Sequence, residues 1–479
     1  MRPGVQVVVR DSPPARSAPI DVGVWFVSGV TEAGPDKKPV LIRSSSEMLA
    51  NFGQNMPWTP LWDAVDAFFR EGGSKVWVSR VVGAGATKAT ATIGDFKADG
   101  KGSGDFYEQL EVELTVATGP PATYTVKVWQ TTPAVLLEQS PAFTEKAQAV
   151  AWSSGSKFVT LTDNDVADTS TPSVAVPKTP LAGGDDDRAS ITDANYLAAL
   201  DMFSAGLGPG QVSVPGLMTS TIWSGLLKHA YDFNRVAYLD GPDNALASSL
   251  ISAGVALRTD TNARYGGMFA PPAIIPGDIP NTTKQVPYSA IQAAMTARIP
   301  NPNQPAAGVN GMSRVALSVK YDYTDTERSS LNDAGVDIAR NMFGGVRTYG
   351  YRTLVDPNVQ PEWLQLNAIR TVMTIKAEAD EIAERHIFMQ IDGKGLEISA
   401  FHGDLVGMLI PFYETGALYG ETPDEAFYVD TGSQVNTPAT VADGQLRAVI
   451  GIRTSPFAEL VYIEIVKLPL PTAEVGAVR

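Results

Sequence analysis

Side chains that commonly carry acid–base, nucleophilic or metal chemistry are scarce in this chain. It holds three histidines, His229, His386 and His402, and no cysteine. The missing thiols exclude disulfides, thiolate metal sites and cysteine nucleophiles together. His229 follows Lys228 on a stretch with helical spacing. His386 closes a long amphipathic run, where a cation suits the negative end of the helix dipole. Both read as surface or capping residues. His402-Gly403-Asp404 sets a carboxylate beside an imidazole, as a base with its orienting acid would be. Yet Asp404 opens an apolar helical run, and N-capping accounts for it. Neither a G-x-S-x-G elbow nor an H-E-x-x-H pair occurs.

The loops offer imitations of two other sites. Gly94, Gly100 and Lys101 suggest a phosphate-cradling loop, but the glycines stand one residue too far apart. Gly102 also occupies the place where Ser or Thr would hold magnesium. Asp163-Asn164-Asp165 with Asp168 is acidic enough for a calcium loop, yet lacks the central Gly and the terminal Glu. Asp185-Asp186-Asp187 reads as a solvated acidic loop. The sequence therefore assigns no catalytic, cofactor-binding or metal-ligating residue.

The elements around these residues follow an α/β rhythm. Residues 21–30 read as a buried strand, Ser46 as the cap of a short helix ending near Gly53, and Thr59 as the start of a longer one. In that helix Leu61, Trp62, Val65, Phe68 and Phe69 share a face, and Gly72-Gly73 stops it. Residues 75–82 return as a strand. From about Ala84 to Asp187 the texture turns to Gly, Ala, Thr and Asp, with a hairpin expected from residues 109–117 and 123–130 and a further strand at 157–162. The rhythm resumes with helices from Thr192, Thr219 and Asn244 alternating with strands at 211–215 and 235–240. Short apolar strands between amphipathic helices require a mostly parallel sheet covered on both faces. A long helix is expected from Pro361 to about Arg385, and a more uniformly apolar one over 404–418.

The two ends pose a problem of their own. Residues 6–10 are a β-prone run isolated by prolines. Residues 458–468 alternate Val461, Ile463 and Ile465 on one face with Leu460, Tyr462, Val466 and Leu468 on the other. Neither run satisfies its own backbone groups, and the second needs neighbours on every side. Pairing within the chain and pairing with another molecule both answer that need.

Bulk properties narrow the class. The 479 residues suggest two to four domains. A formal charge of −15 repels phosphate backbones and anionic lipid, which argues against direct nucleic-acid binding. No apolar stretch approaches the roughly 18 residues that span a bilayer. No signal-peptide pattern follows Met1-Arg2-Pro3-Gly4, so synthesis and residence in the cytosol are expected.

A collinear set of motifs carries a resemblance. Pro3-Gly4-Val5-Gln6-Val7 opens it, followed by Pro39-Val40-Leu41-Ile42 with Phe52-Gly53, and by Phe68-Phe69-Arg70-Glu71-Gly72-Gly73 with the strand Lys75 begins. Leu181-Ala182-Gly183-Gly184, Val212-Ser213-Val214-Pro215-Gly216, Ala237-Tyr238-Leu239-Asp240-Gly241-Pro242 and Gly350-Tyr351-Arg352-Thr353-Leu354 come next. Gly416-Ala417-Leu418-Tyr419-Gly420, Asp424-Glu425-Ala426-Phe427-Tyr428-Val429 and Ser455-Pro456-Phe457-Ala458-Glu459-Leu460-Val461 complete the set. In this order they resemble the contractile tail sheath proteins of bacteriophages, related to the sheaths of R-type bacteriocins and other contractile injection systems. The sequence departs from the family at Gln6, at Val286-Pro287-Tyr288-Ser289, and in the single Arg370 on the long helix.

The resemblance implies a multidomain α/β protein with a mixed-sheet core from its N- and C-terminal parts. Its expected divisions are an N-terminal arm (1–20), a middle α/β domain (21–83 and 188–355), an inserted β-rich outer domain (84–187), an inner core domain (356–457) and a C-terminal strand arm (458–479). It implies a non-enzymatic subunit of stacked hexameric rings around a tail tube, contracting to drive the tube through a target envelope. The expected partners are further copies of the chain, the tube protein, and baseplate and terminator proteins, with no membrane insertion. The expected location is a virion tail assembled in the host cytoplasm. Strand exchange between subunits falls to Val5, Val7 and Val9 at one end and Val461, Ile463 and Ile465 at the other, and Asp424 and Glu425 face the tube. A cell-borne injection device, a capsid or surface-layer subunit, and an α/β enzyme are the alternatives.

Overall fold

A computed structural model of the chain describes residues 20–164, 174–342 and 344–467. At its centre lies an eight-stranded sheet. Across the sheet the strands run Gly345–Thr348, Val336–Met342, Gly266–Ala270, Arg235–Asp240, Gly210–Ser213, Trp25–Val30, Val76–Val81 and Val40–Ile42. All inner pairings are parallel, and only the two edge strands pair antiparallel. Parallel neighbours need crossover connections, and the helices that make them cover both faces. The Trp25–Val30 strand is buried along its whole length. Trp25 and Val27 enter one core while Phe26 enters the other, the two-residue alternation of a strand between two layers.

Helix Leu61–Glu71 packs Leu61, Ala64, Val65 and Phe68 onto the first face, with the Phe68 and Trp25 rings stacked at 5.0 Å. Gly72 ends it in the left-handed region at φ 109, returning its N–H to the Phe68 and Phe69 carbonyls. Gly73 is needed for space, because a Cβ there would lie 2.2 Å from the Phe68 ring. Helix Ser220–Asp232 covers the opposite face with Ile222, Trp223, Leu226, Leu227 and Ala230.

The Gly- and Thr-rich middle has a core of its own. Its expected hairpin forms from Leu110–Ala117 and Thr123–Gln130 in unbroken register, flanked by Val176–Pro180 and Val135–Gln139. A three-stranded sheet of Lys88–Ile93, Phe96–Ser103 and Val159–Asp163 packs with it. The chain enters and leaves this unit at one place, where the Gly83 N–H meets the Asp186 carbonyl at 2.9 Å.

The long helix, Leu366–His386, serves two cores. Leu366, Ile369 and Met373 join the first sheet core, whereas Ile375 and Ile382 join a terminal cluster with helix Leu396–Glu414 and the hairpin Phe427–Asp430/Val449–Ile452. No helix among the described residues is long and apolar enough to cross a membrane.

Several local expectations shift. Ser44, not Ser46, caps helix Ser45–Phe52, its hydroxyl accepting the Glu47 N–H at 3.2 Å. Pro361 begins a separate 3-10 turn, Pro361–Trp363, ahead of the long helix. The apolar helix begins at Leu396, so Asp404 lies in its middle and caps nothing. Asp392 does that work, accepting the Glu397 N–H at 3.0 Å. The run 458–467 forms no ladder among the described residues, and the expected strand at 6–10 lies outside them.

One buried carboxylate ties the first core to the sheet's far connection. Glu71 accepts the Ser313 hydroxyl at 2.8 Å and the Arg314 and Val315 N–H groups at 2.9 and 3.1 Å, and pairs with Arg298 at 2.9 Å. Burial pushes its carboxyl pKa up, and those donors pull it back. Glu71→Gln leaves the half-buried Arg298 without its charge partner and is expected to destabilise the fold by about 3 kcal/mol. The check is the midpoint of urea unfolding, and an unchanged midpoint counts against the tie.

Candidate assembly interface

The residues that looked catalytic are structural ties. His229 is buried, contrary to the surface or capping role expected of it. Its helix faces the sheet there, and its Nε2 accepts a hydrogen bond from Arg235 Nη1 at 2.7 Å. Burial, then the neighbouring guanidinium, lowers its pKa to about 3, so the ring is neutral and, with Nε2 accepting, carries its one proton on Nδ1. Arg235 also donates to the Phe203, Ser204 and Gly208 carbonyls and lies 3.7 Å over the Phe26 ring, which fixes the 203–208 loop. Asp404 pairs with His386 rather than orienting His402. The His386 ring nitrogens meet Glu397 Oε1 at 2.7 Å and Asp404 Oδ2 at 3.2 Å, bracing the end of one helix against the next. His402 Nδ1 faces the Thr431 hydroxyl at 3.3 Å.

The loop imitations resolve in the same way. Lys101 Nζ donates to the Ser153 and Ser154 carbonyls at 3.1 and 2.9 Å, capping the end of helix Lys146–Gly155. Asp163 pairs with Lys146 at 3.7 Å, while Asp165 and Asp168 lie outside the described residues. Asp105, Asp185 and Asp186 come together, but Asp186 is already held by Arg188 at 2.6 Å. Asp187 binds Ser190 and the Gly85 N–H, bonds that lower its pKa, and so ties the exit of the inserted unit to its entry.

The C-terminal stretch is organised differently. Up to Glu459 it is strapped across the body. The Arg453 N–H meets the Ala426 carbonyl at 2.9 Å, and Asn303 and Asn367 both donate to the Ser455 carbonyl at 3.3 Å. The Gln365 side chain brackets the Phe457 backbone with two bonds of 3.2 Å. Arg352 then grips Glu459 in a forked pair, its Nε 3.1 Å from each carboxylate oxygen. A groove of about 680 Å³, lined by Pro305, Arg340, Tyr349, Tyr351, Leu460 and Val461, flanks this exit point.

Beyond Glu459 the support ends. Val461, Ile463 and Ile465 are 72%, 80% and 90% exposed, and Leu460, Tyr462 and Val466 on the alternate positions are exposed as well. One face of this run is wholly apolar and the other is apolar apart from Glu464, an exposure that water does not favour. Val5, Val7 and Val9 lie outside the described residues. Asp424 and Glu425 are exposed on the short helix Pro423–Ala426, just ahead of strand Phe427–Asp430. That strand and Val449–Ile452 make a sheet of two, each with a neighbour on one side only. Sequence reasoning missed the hairpin, although the alternation in Phe427-Tyr428-Val429 and Val449-Ile450-Gly451-Ile452 was available to find it.

No family model and no curated protein matches the sequence. Solved structures do match in fold. The sheath tail protein of Listeria innocua is similar with a TM-score of 0.62 at 10% identity, over 88% of this chain and 90% of that one. A chain in the contracted-state baseplate of the anti-feeding prophage gives 0.60 at 15% identity, over 97% and 98%. The contracted PVC sheath complex of an extracellular contractile injection system gives 0.54 at 17%, over 98% of both chains. The chain thus has the multidomain α/β fold of contractile sheath proteins, as the motif order led us to expect.

Beneath the arm's anchor sits a second buried carboxyl, Asp337, whose Oδ1 accepts the Arg352 N–H at 2.8 Å while Oδ2 has no partner. Burial drives its pKa well above the carboxylate range, against the pull of Arg352. The folded chain therefore keeps a proton that the unfolded chain releases above about pH 4. The resulting stability is full below that pH and is lost as the pH rises through the raised value. Asp337→Asn, which cannot ionise, is expected to flatten the thermal-stability profile between about pH 4 and 8 and to raise its neutral end. Melts across that range measure it, and an unaltered slope would contradict the assignment.

Proposed function

We propose that this chain is the structural subunit of a contractile tail sheath. Copies stack as hexameric rings around an inner tube and shorten to drive it through a target envelope, delivering a genome or effectors. The single observation that carries the reading is the apolar run 460–466, exposed on both faces and hung from the Arg352–Glu459 pair, on a body with the sheath fold. A strand without neighbours is stabilised by joining another sheet, which supplies directional backbone bonds and side-chain contacts. The open edges of the Phe427–Asp430/Val449–Ile452 hairpin are a fitting acceptor, because a two-stranded sheet alone is marginal in water.

In this reading residues 1–20 and 458–479 are linker arms, with Val5, Val7 and Val9 donating one strand and Val461, Ile463 and Ile465 the other. Residues 84–187 face outward, residues 356–457 lie toward the tube, and Asp424 and Glu425 contact it. The partners are further copies of the chain, the tube protein, and baseplate and terminator proteins. The particle is a virion tail assembled in the host cytoplasm. The likeness to an extracellular contractile injection system favours a cell-borne device as the second reading. The acidic surface keeps the subunit off nucleic acid. No nucleotide is required if the extended array is metastable and contraction improves subunit packing, the interface acting as a two-state element.

Deleting residues 1–12 is expected to leave a folded, soluble subunit that no longer polymerises, as seen by negative-stain microscopy. Normal hollow tubes from that truncation would sink the strand-exchange model. Replacing Val461, Ile463 and Ile465 together by Ser should likewise abolish tubes. Because these side chains are exposed in the single chain, its stability should move by no more than about 0.5 kcal/mol per site. Loss of folding instead of assembly would place the run inside the subunit's own core.

A further inference from the structure

Three arginines are almost wholly buried among the described residues: Arg80, Arg235 and Arg370. The first two are compensated. Arg80 Nη1 reaches Asp36 at 3.0 Å and the Gly34 and Ser103 carbonyls at 3.1 and 2.7 Å, leaving only its Nε without a partner. Arg235 donates to three carbonyls and an imidazole and lies over an aromatic face.

Arg370 is the least satisfied of the three. Its Nη1 makes two long contacts, 3.3 Å to the Gln304 carbonyl and 3.5 Å to the Tyr351 hydroxyl, while Nε and Nη2 have no partner among the described residues. Those two groups form one edge of the guanidinium fork, an edge suited to gripping a carboxylate in two places. The Tyr351 hydroxyl is shared with Tyr238, whose pKa burial pushes far up, so that neighbour supplies no negative charge. Arg370 also stands five residues into helix Leu366–His386, toward the end where the backbone dipole is positive. A cation buried without an anion, on the half of the helix that repels it, lowers the stability of the packing that holds it.

Its position gives that instability a direction. Arg370 lies in the sheet-core part of the long helix, between Ile369 and Met373, about one turn before the helix passes to the terminal cluster at Ile375. One turn away, Asn367 holds the strap at Ser455 that leads to the arm. We infer that Arg370 is a spring built one turn before this passage: an uncompensated buried cation that biases the long helix, and the terminal unit it carries, toward a second packing in which the guanidinium reaches a carboxylate or water. The spring's part in contraction rests on the sheath reading, while its effect on the free subunit does not.

The experiment compares thermal melting of the full chain carrying Arg370→Met, Arg370→Lys, Arg80→Met or Arg235→Met. Arg370→Met removes the charge and keeps the length, and should melt higher than the parent by roughly 2–4 °C. Arg370→Lys keeps the charge and should gain nothing, and Arg80→Met and Arg235→Met should melt lower. A lower melting point for Arg370→Met, or an equal gain for Arg370→Lys, overturns the inference. In assembled tubes, Arg370→Met should need more urea to contract, read as tube length by microscopy. Contraction at the parent's urea concentration would overturn the spring. If the parent forms no tubes at all, the sheath reading fails, and the melting comparison still decides whether Arg370 is uncompensated.

Discussion

Every backbone N–H and carbonyl removed from water must find a partner, and this constraint organises the molecule from its centre to its ends. In the middle of the large sheet the constraint is met within the chain. Trp25–Val30 has a parallel neighbour on each side and a hydrophobic layer on each face. At the periphery it is met only in part. Among the described residues the hairpin Phe427–Asp430/Val449–Ile452 leaves an edge free on each strand, and residues 460–467 join no ladder. A body that pairs its large sheet internally, with an exposed apolar run and a two-stranded sheet at its periphery, is consistent with the proposed repeating unit. In the proposed sheath, donor and acceptor would be different surfaces, so each copy could join the next without closing a pair.

Charge is handled with the same economy. Charged and titratable side chains are placed as fasteners between separate elements. Lys101 closes a helix end, Glu71 collects the 313–315 loop, Arg235 with neutral His229 fixes the 203–208 loop, and Arg352 clamps the departing arm. Each draws on the strong hydrogen bonds of an ionised or buried polar group, and each satisfies most of that group's capacity. Arg370 breaks the pattern, which is why it stands out against Arg80 and Arg235 rather than merely adding to the count of buried charges.

Much of the fold was legible because it rests on local periodicity. The strand Arg235–Asp240 falls on the expected residues, and the hairpin over 110–117 and 123–130 differs by one residue at its start. Helix starts were less legible. Ser44 replaced Ser46, and Asp392 replaced Asp404, because a cap depends on which side chain bends back onto a free N–H. His229 was misplaced for a related reason. A lysine beside it suggested water, but the helix turns the imidazole toward Arg235 and the sheet.

By itself the sequence determined the α/β alternation, the β-rich insertion, the absence of thiol chemistry and the two apolar ends in need of partners. These follow from side-chain spacing and type, which act over a few residues. Only the tertiary structure decided that residues 460–466 lie exposed on the subunit while Glu459 is held by Arg352, more than a hundred positions earlier. It also decided which charges are compensated. A buried group's partners come from segments that meet only after the sheet has closed, and no local pattern encodes a distance between Arg370 and a carboxylate that never arrives.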